Sequence, residues 1–187
     1  LTQDGFELTF QTNHLAPMLL THELLPMLQQ SRATVVATAS MANLMARPDL
    51  TDLNGLREFH AFRNYANSKL ANILFTQELF ARFPELNPVA FHPGVVHTNF
   101  SLDTRSLAKY LYKIPLARFY TIDDTEGGKH LTYFITGTPG IMWEPGHYYD
   151  GPSRTPGRIN KHATAPGFAA RHFDLSSDML GIDWQKN

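Results

Sequence analysis

Tyr65 and Lys69 stand four residues apart in Tyr65-Ala-Asn-Ser-Lys69, at the start of an apolar run. On a helix that spacing stacks two side chains on one face, so a phenol and an ammonium can point into one site. A tyrosine is a poor base at neutral pH: its reference pKa is about 10, and a useful phenolate fraction near pH 7 needs a shift worth roughly 4 kcal/mol. One positive charge about 4 Å away, at an effective dielectric near 20, supplies roughly that amount. The pair is therefore suited to proton transfer. A tyrosine and a lysine also fall four apart by accident, so the reading depends on the residues around them.

Three other segments must bring those residues to the pair. Val35-Val36-Ala37-Thr38-Ala39-Ser40 is a short β-branched run ending in a hydroxyl, the pattern of a buried parallel strand with a polar residue at its carboxyl end. In open α/β sheets ligands bind at that end. Val89-Ala90-Phe91-His92-Pro93-Gly94-Val95-Val96-His97-Thr98 reads as a second buried strand broken at Pro-Gly, with Thr98 just beyond. Upstream, Phe10-Gln11-Thr12-Asn13-His14-Leu15 lies inside a long helical stretch. In a regular helix the Asn13 carbonyl would accept from residue 17, which is Pro17 and has no N–H, so that carbonyl is expected to be free for a bound water.

In this order the segments resemble the short-chain dehydrogenase/reductase family, in particular the branch of the retinol dehydrogenases and WW-domain oxidoreductases. Asp4-Gly-Phe-Glu, Thr12-Asn-His-Leu, Ser68-Lys-Leu-Ala-Asn-Ile-Leu-Phe and His92-Pro-Gly-Val-Val-His-Thr98 carry the likeness, which runs over nearly the whole chain. It implies that Tyr65 is the general acid/base and that Ser40 hydrogen-bonds the substrate oxygen. Lys69 would lower the tyrosine pKa and hold the cofactor ribose, and Asn13 would place a relay water. His92, Pro93, Gly94, Val95 and Thr98 would line the nicotinamide. The implied reaction is hydride transfer between NAD or NADP and an alcohol or carbonyl. Ala16 in place of the branch's usual glycine, and Asn43 in place of its common histidine, touch no catalytic position and leave retinoid specificity unspecified.

The implied fold is α/β, a Rossmann-like doubly wound parallel sheet over residues 1–187. Only its carboxyl-terminal portion is expected, about three strands with flanking helices. No Gly-x-x-x-Gly-x-Gly follows a strand, and the first residue, Leu1, matches a point after the family's fourth strand. Helices are expected from about Asp4 to Gln29, Asn64 to Phe83 and Glu126 to Thr136, with strands at Ala33 to Ser40, Val89 to His92 and His147 to Tyr149. A polar loop is expected through Phe62, and from Gly151 a loop-rich carboxyl-terminal extension with an amphipathic end near Ala169 to Leu180. Residues 99–125 match the family's substrate lid, and their aromatic and aliphatic content suggests a lipophilic substrate.

Composition excludes several classes. With 43% hydrophobic and 18% charged residues and a net charge of -1, there is no basic excess for nucleic acid and no acidic excess for disorder. Absence of cysteine removes disulfides and thiol nucleophiles. Nine histidines show no ligand spacing, and His22-Glu23-Leu24-Leu25-Pro26 lacks the second histidine of a zinc-protease helix, so no metal is expected. The stretch from Leu15 to Leu28 is broken by two prolines, His22 and Glu23, so no membrane span is expected. A cytoplasmic location follows unless an upstream segment attaches the protein to a membrane. The partners expected are a small-molecule substrate and a second copy joined through the two long helices, against a monomer whose loops cover that face. Two function classes stand: an oxidoreductase, or a truncated non-catalytic product acting as a dimerisation or partner-binding module.

Overall fold

The computed structural model describes residues 1–96, 121–122 and 124–185. Three strands run parallel in one sheet: β1 (Thr34–Thr38), β2 (Asn87–His92) and β5 (Tyr148–Asp150), in the order β1-β2-β5. Val36 pairs with Val89, Thr38 with Phe91, and His92 with Asp150. Just past the carboxyl end of β2, β3 (Val95–Val96) pairs in parallel with β4 (Thr121–Ile122). This is the partial Rossmann-like sheet expected.

Helices cover both faces, and side-chain alternation along β2 shows how. Ala90 packs with Ala39, Tyr148 and Ile73 of α4 (Ala61–Arg82), whereas its neighbours Val89 and Phe91 pack with Tyr149, Trp143 and Phe134 of α5 (Asp124–Thr136). Successive residues of a strand point to opposite faces, so α4 and α5 lie on opposite sides of the sheet. The far side of α4 is covered in turn by α6 (Phe168–Leu180) and the chain beyond it: Phe75 and Leu79 pack with Phe173 and Trp184, and Leu70 and Leu74 with Phe168 and Ala169. Arg82 ties the two helices, bonding Glu78 and Asp174 at 2.7 Å each with its guanidinium 4.4 Å from the Phe173 ring centre. Gly181, at φ 64, ends α6 in the left-handed conformation and turns the chain back, so that Trp184 Nε1 donates to Ser177 Oγ. The amphipathic end expected near Ala169 to Leu180 is thus a 13-residue helix that packs into the core.

The first helix differs from expectation. It starts at Leu8, where the Glu7 carboxylate accepts from Phe10 N, and it runs in pieces: α1 (Leu8–Phe10), a π turn (Gln11–Leu15), α2 (Ala16–Glu23) and α3 (Leu25–Gln30). Both breaks have a proline behind them. Pro17 offers no N–H to Asn13 four residues back or to Thr12 five back, and the ladder widens so that the Gln11 carbonyl accepts from Ala16. Pro26 offers none to His22, and Leu24 leaves the regular helix at ψ 0. Helix α4 begins three residues before the expected Asn64 because the His60 ring caps it, accepting from Arg63 N. The stretch after Ser40, expected as loop, contains a 3₁₀ turn (Met41–Met45).

Phe173 is 1% exposed and stacks on Phe75 with ring centroids 5.9 Å apart. Phe173→Ala is expected to cost about 3–5 kcal/mol by urea unfolding. A loss below about 1 kcal/mol, within the range of ordinary surface substitutions, would show that α6 does not hold α4.

Candidate active site

Of the residues singled out by type and spacing, Ser40 follows β1, Lys69 reaches the carbonyl at the end of β1, and His92 closes β2. Ser40 follows β1 and caps the 3₁₀ turn, its Oγ accepting from Ala42 N at 3.2 Å. The turn is anchored from behind. Asn43, fully buried, donates to the Ser40 carbonyl at 2.9 Å and accepts from Asn160 N at 2.9 Å, and Asn160 donates to the Asn43 and Ala46 carbonyls. Asn43 is therefore a packing residue that fixes the Ser40 turn.

Tyr65 and Lys69 lie one turn apart near the start of α4, both half-buried. Lys69 Nζ donates to the Thr38 carbonyl at 3.2 Å and lies 5.6 Å from the centre of the Tyr65 ring. Burial pushes its ammonium below the ordinary lysine range. Asn13, on the π turn, reaches the same helix: its Nδ2 donates to Ser68 Oγ at 3.0 Å, and Ser68 donates to the Tyr65 carbonyl at 2.8 Å. The free-carbonyl argument assumed a regular helix; the π turn replaces that geometry while leaving Pro17 without a proton to give.

On the neighbouring strand, His92 closes β2 and is buried, its Nδ1 without a hydrogen-bond partner among the described residues. Burial lowers its pKa, against the raising effect of Asp150, with which it pairs across β2 and β5. Pro93 and Gly94 form the turn into β3. Gly94 sits at φ 97, a conformation that favours glycine, and Val95 opens β3. Thr98 and most of the 99–125 lid lie outside the described residues.

Two residues absent from the sequence-based set belong to this constellation. Asn72 Nδ2 donates to the same Thr38 carbonyl at 3.1 Å, and its Oδ1 is 3.3 Å from Nδ1 of the buried His14. Asn72 was visible in principle: it follows Lys69 by three residues, so it shares a helix face with it. What the site can do chemically is hold a phenol beside an ammonium near the end of β1, where Ser40 follows, with the ammonium fixed by a neutral carbonyl.

No protein-family model matches the chain. Similar proteins do. Retinol dehydrogenase 12 of Mus musculus is 32% identical over 187 residues, covering 98% of this chain and 57% of that protein. DnrU of Streptomyces sp. (strain C5), named as a daunorubicin C-13 ketoreductase, is 32% identical over 181 residues, covering 96% of this chain and 60% of its own. Among solved structures, an uncharacterized protein from Mycobacterium paratuberculosis superposes with a TM-score of 0.72 at 30% identity, covering 98% of this chain and 62% of that one. The chain thus spans a little under two thirds of each of these relatives.

Burial brings His14 down to about 4 from 6.5, and pushes buried His172 well below its ordinary value. The folded chain keeps His14 neutral down to about pH 4, whereas the unfolded chain takes its proton near 6.5, so stability is intact above pH 6.5 and declines as the pH falls toward 4. For His14 the loss is on the order of 3 kcal/mol, and His172 adds to it in the same direction. Urea unfolding at pH 7 and pH 4.5 should show this decline, with part of it removed in His14→Gln. An identical pH dependence in that variant would contradict the burial of a neutral imidazole.

Proposed function

The chain belongs to the short-chain dehydrogenase/reductase family, in its retinol dehydrogenase-like branch, and on that premise we propose that it carries the proton-transfer half of an oxidoreductase interconverting an alcohol and a carbonyl. The observation that carries the reading is the Lys69 ammonium, held by the Thr38 carbonyl beside Tyr65 at the sheet end next to Ser40. Tyr65 gives a proton to the carbonyl oxygen in reduction and takes it from the hydroxyl in oxidation. Ser40 hydrogen-bonds that oxygen and orients it. Lys69 lowers the proton affinity of the phenol, and Asn13 holds a relay water. The aromatic and aliphatic content of residues 99–125 favours a lipophilic substrate. The relatives' substrates, named as retinol and daunorubicin, differ enough that they select no single molecule.

NAD or NADP supplies the hydride when bound. The residues present fit its nicotinamide end in kind: His92 offers a buried Nδ1 with no partner among the described residues, and Gly94, two residues on, turns the backbone at φ 97. Lys69 would hold the ribose, and Pro93, Val95 and Thr98 would complete the lining, Thr98 lying outside the described residues. The glycine-rich strand-turn-helix that cradles a pyrophosphate is not in the sequence. The second reading is a product that binds a partner without turnover. A second copy is one such partner. Because α6 and Trp184 cover the Phe75 and Leu79 side of α4, it would meet the exposed Leu20, Leu24 and Met27 of the first helical stretch.

Two measurements separate the readings. In a protein carrying this chain together with a dinucleotide-binding half, Tyr65→Phe should lower turnover at least about 10²-fold, the scale of lost acid/base catalysis. Near-normal turnover would remove Tyr65 from the reaction. The 187-residue chain alone, titrated with NADH and NADPH by fluorescence, should bind each no tighter than roughly millimolar, because the pyrophosphate cradle is lacking. Micromolar binding would discard the partner-only reading.

A further inference from the structure

Behind Lys69 lie two buried histidines that the proposed proton transfer does not use. His14 on the π turn and His172 on α6 have ring centroids 5.2 Å apart. Their hydrogen bonds form an unbroken line toward the site. His172 Nδ1 is 3.5 Å from Ser176 Oγ, and Ser176 Oγ is 3.1 Å from His14 Nε2. His14 Nδ1 is 3.3 Å from Asn72 Oδ1, and Asn72 Nδ2 donates to the Thr38 carbonyl at 3.1 Å. Lys69 Nζ donates to that same carbonyl at 3.2 Å.

The line has one consistent direction. Asn72 spends its amide hydrogen on Thr38, so Oδ1 is left to accept and His14 must present Nδ1–H to it. Nε2 of a neutral His14 is then an acceptor, which orients the Ser176 hydroxyl toward it, and Ser176 in turn accepts from His172. Every donor points from α6 toward the Thr38 carbonyl. A carbonyl has two lone pairs, and here Asn72 and Lys69 take one each.

We propose that His14 is a positioning residue: by holding the Asn72 amide it fixes the Thr38 carbonyl, and through that shared acceptor it sets where the Lys69 ammonium stands beside Tyr65. With the imidazole gone, Asn72 Oδ1 is buried without a donor, and the amide turns away from Thr38 to find one. The carbonyl is then held by Lys69 alone, and the lysine moves toward water. The proposal rests on the role given to Lys69, but its test reads Lys69 directly and needs neither substrate nor dinucleotide. Failure of Tyr65 to act as acid/base would leave it standing.

The test uses the 187-residue chain with its lysines carrying ¹³C-methyl labels, the Lys69 signal identified by its loss in Lys69→Arg, and titrates that signal by NMR. His14→Phe keeps a ring but no polar atom, Ser176→Ala removes only the far hydroxyl, and His14→Gln keeps one donor and one acceptor. The Lys69 titration should rise toward the ordinary lysine value of about 10.4 in His14→Phe, rise less in Ser176→Ala and return in His14→Gln. A histidine that merely fills space would change the melting temperature and leave Lys69 where it was. An unmoved Lys69 titration in Ser176→Ala and in whichever His14 variant folds, or no return in His14→Gln, overturns the proposal.

Discussion

Burial of α4 on two sides is the constraint from which the rest of this structure follows. The faces of a helix wedged between a sheet and another helix cannot send a polar side chain to water, yet those of α4 carry Asn64, Ser68, Asn72 and Thr76 at every fourth position, all at most 5% exposed. Four residues advance slightly more than one turn, so these side chains form a shallow stripe along the helix. Each must find its partner inside the protein, because an unpaired buried polar group is costly. Asn64 donates to the Gly55 carbonyl, although its Oδ1 has no partner among the described residues; Ser68 takes the Asn13 amide, Asn72 takes the end of β1, and Thr76 closes on the Asn72 carbonyl. The partners come from the loop before α4, the first helix and the sheet. Satisfying one stripe therefore fixes how three separate parts of the chain approach α4, and Tyr65 and Lys69 stand beside that stripe.

Much of this was legible in the sequence wherever a feature repeats locally. The β-branched run ending at Ser40 and the run ending at His92 gave strands within two or three residues of β1 and β2, and the i, i+4 spacing placed Tyr65 and Lys69 on one helix face. Sequence reading failed where a residue type plays an uncommon part. The helix expected from about Asn64 begins at Ala61, so Asn64 is buried inside α4, and the cap is a histidine, a residue outside the usual capping set. Pro17 promised a regular helix with the Asn13 carbonyl left free, and nothing local in the sequence marks the π turn that takes its place.

The interior contacts were illegible for a different reason. His14 meets Ser176 across 162 positions of sequence, and Asn43 meets Asn160 across 117. No local pattern relates such pairs. Both join the region around the site to the last third of the chain, which composition marks as rich in glycine, proline, arginine and histidine and thus as loop. Its weight in the fold comes from a few residues, Phe173, Ser176, Ser177 and Trp184, that are buried or bonded against α4 and the first helix.

The electrostatics of the site turn on what holds each cation. Arg82 is matched by Glu78 and Asp174, Arg63 by Glu58, and Lys129 by Glu126, so their charges are answered locally by carboxylates. Lys69 makes no ion pair among the described residues; its ammonium is held by the Thr38 carbonyl. A neutral acceptor orients an ammonium without cancelling its charge, and partial burial reduces the screening that water would provide. The same burial lowers the lysine pKa, which limits how deep the residue can lie before the charge is lost. Half-buried, and tied to a carbonyl whose other lone pair belongs to Asn72, the Lys69 amino group is held 5.6 Å from the centre of the Tyr65 ring by a neutral acceptor alone.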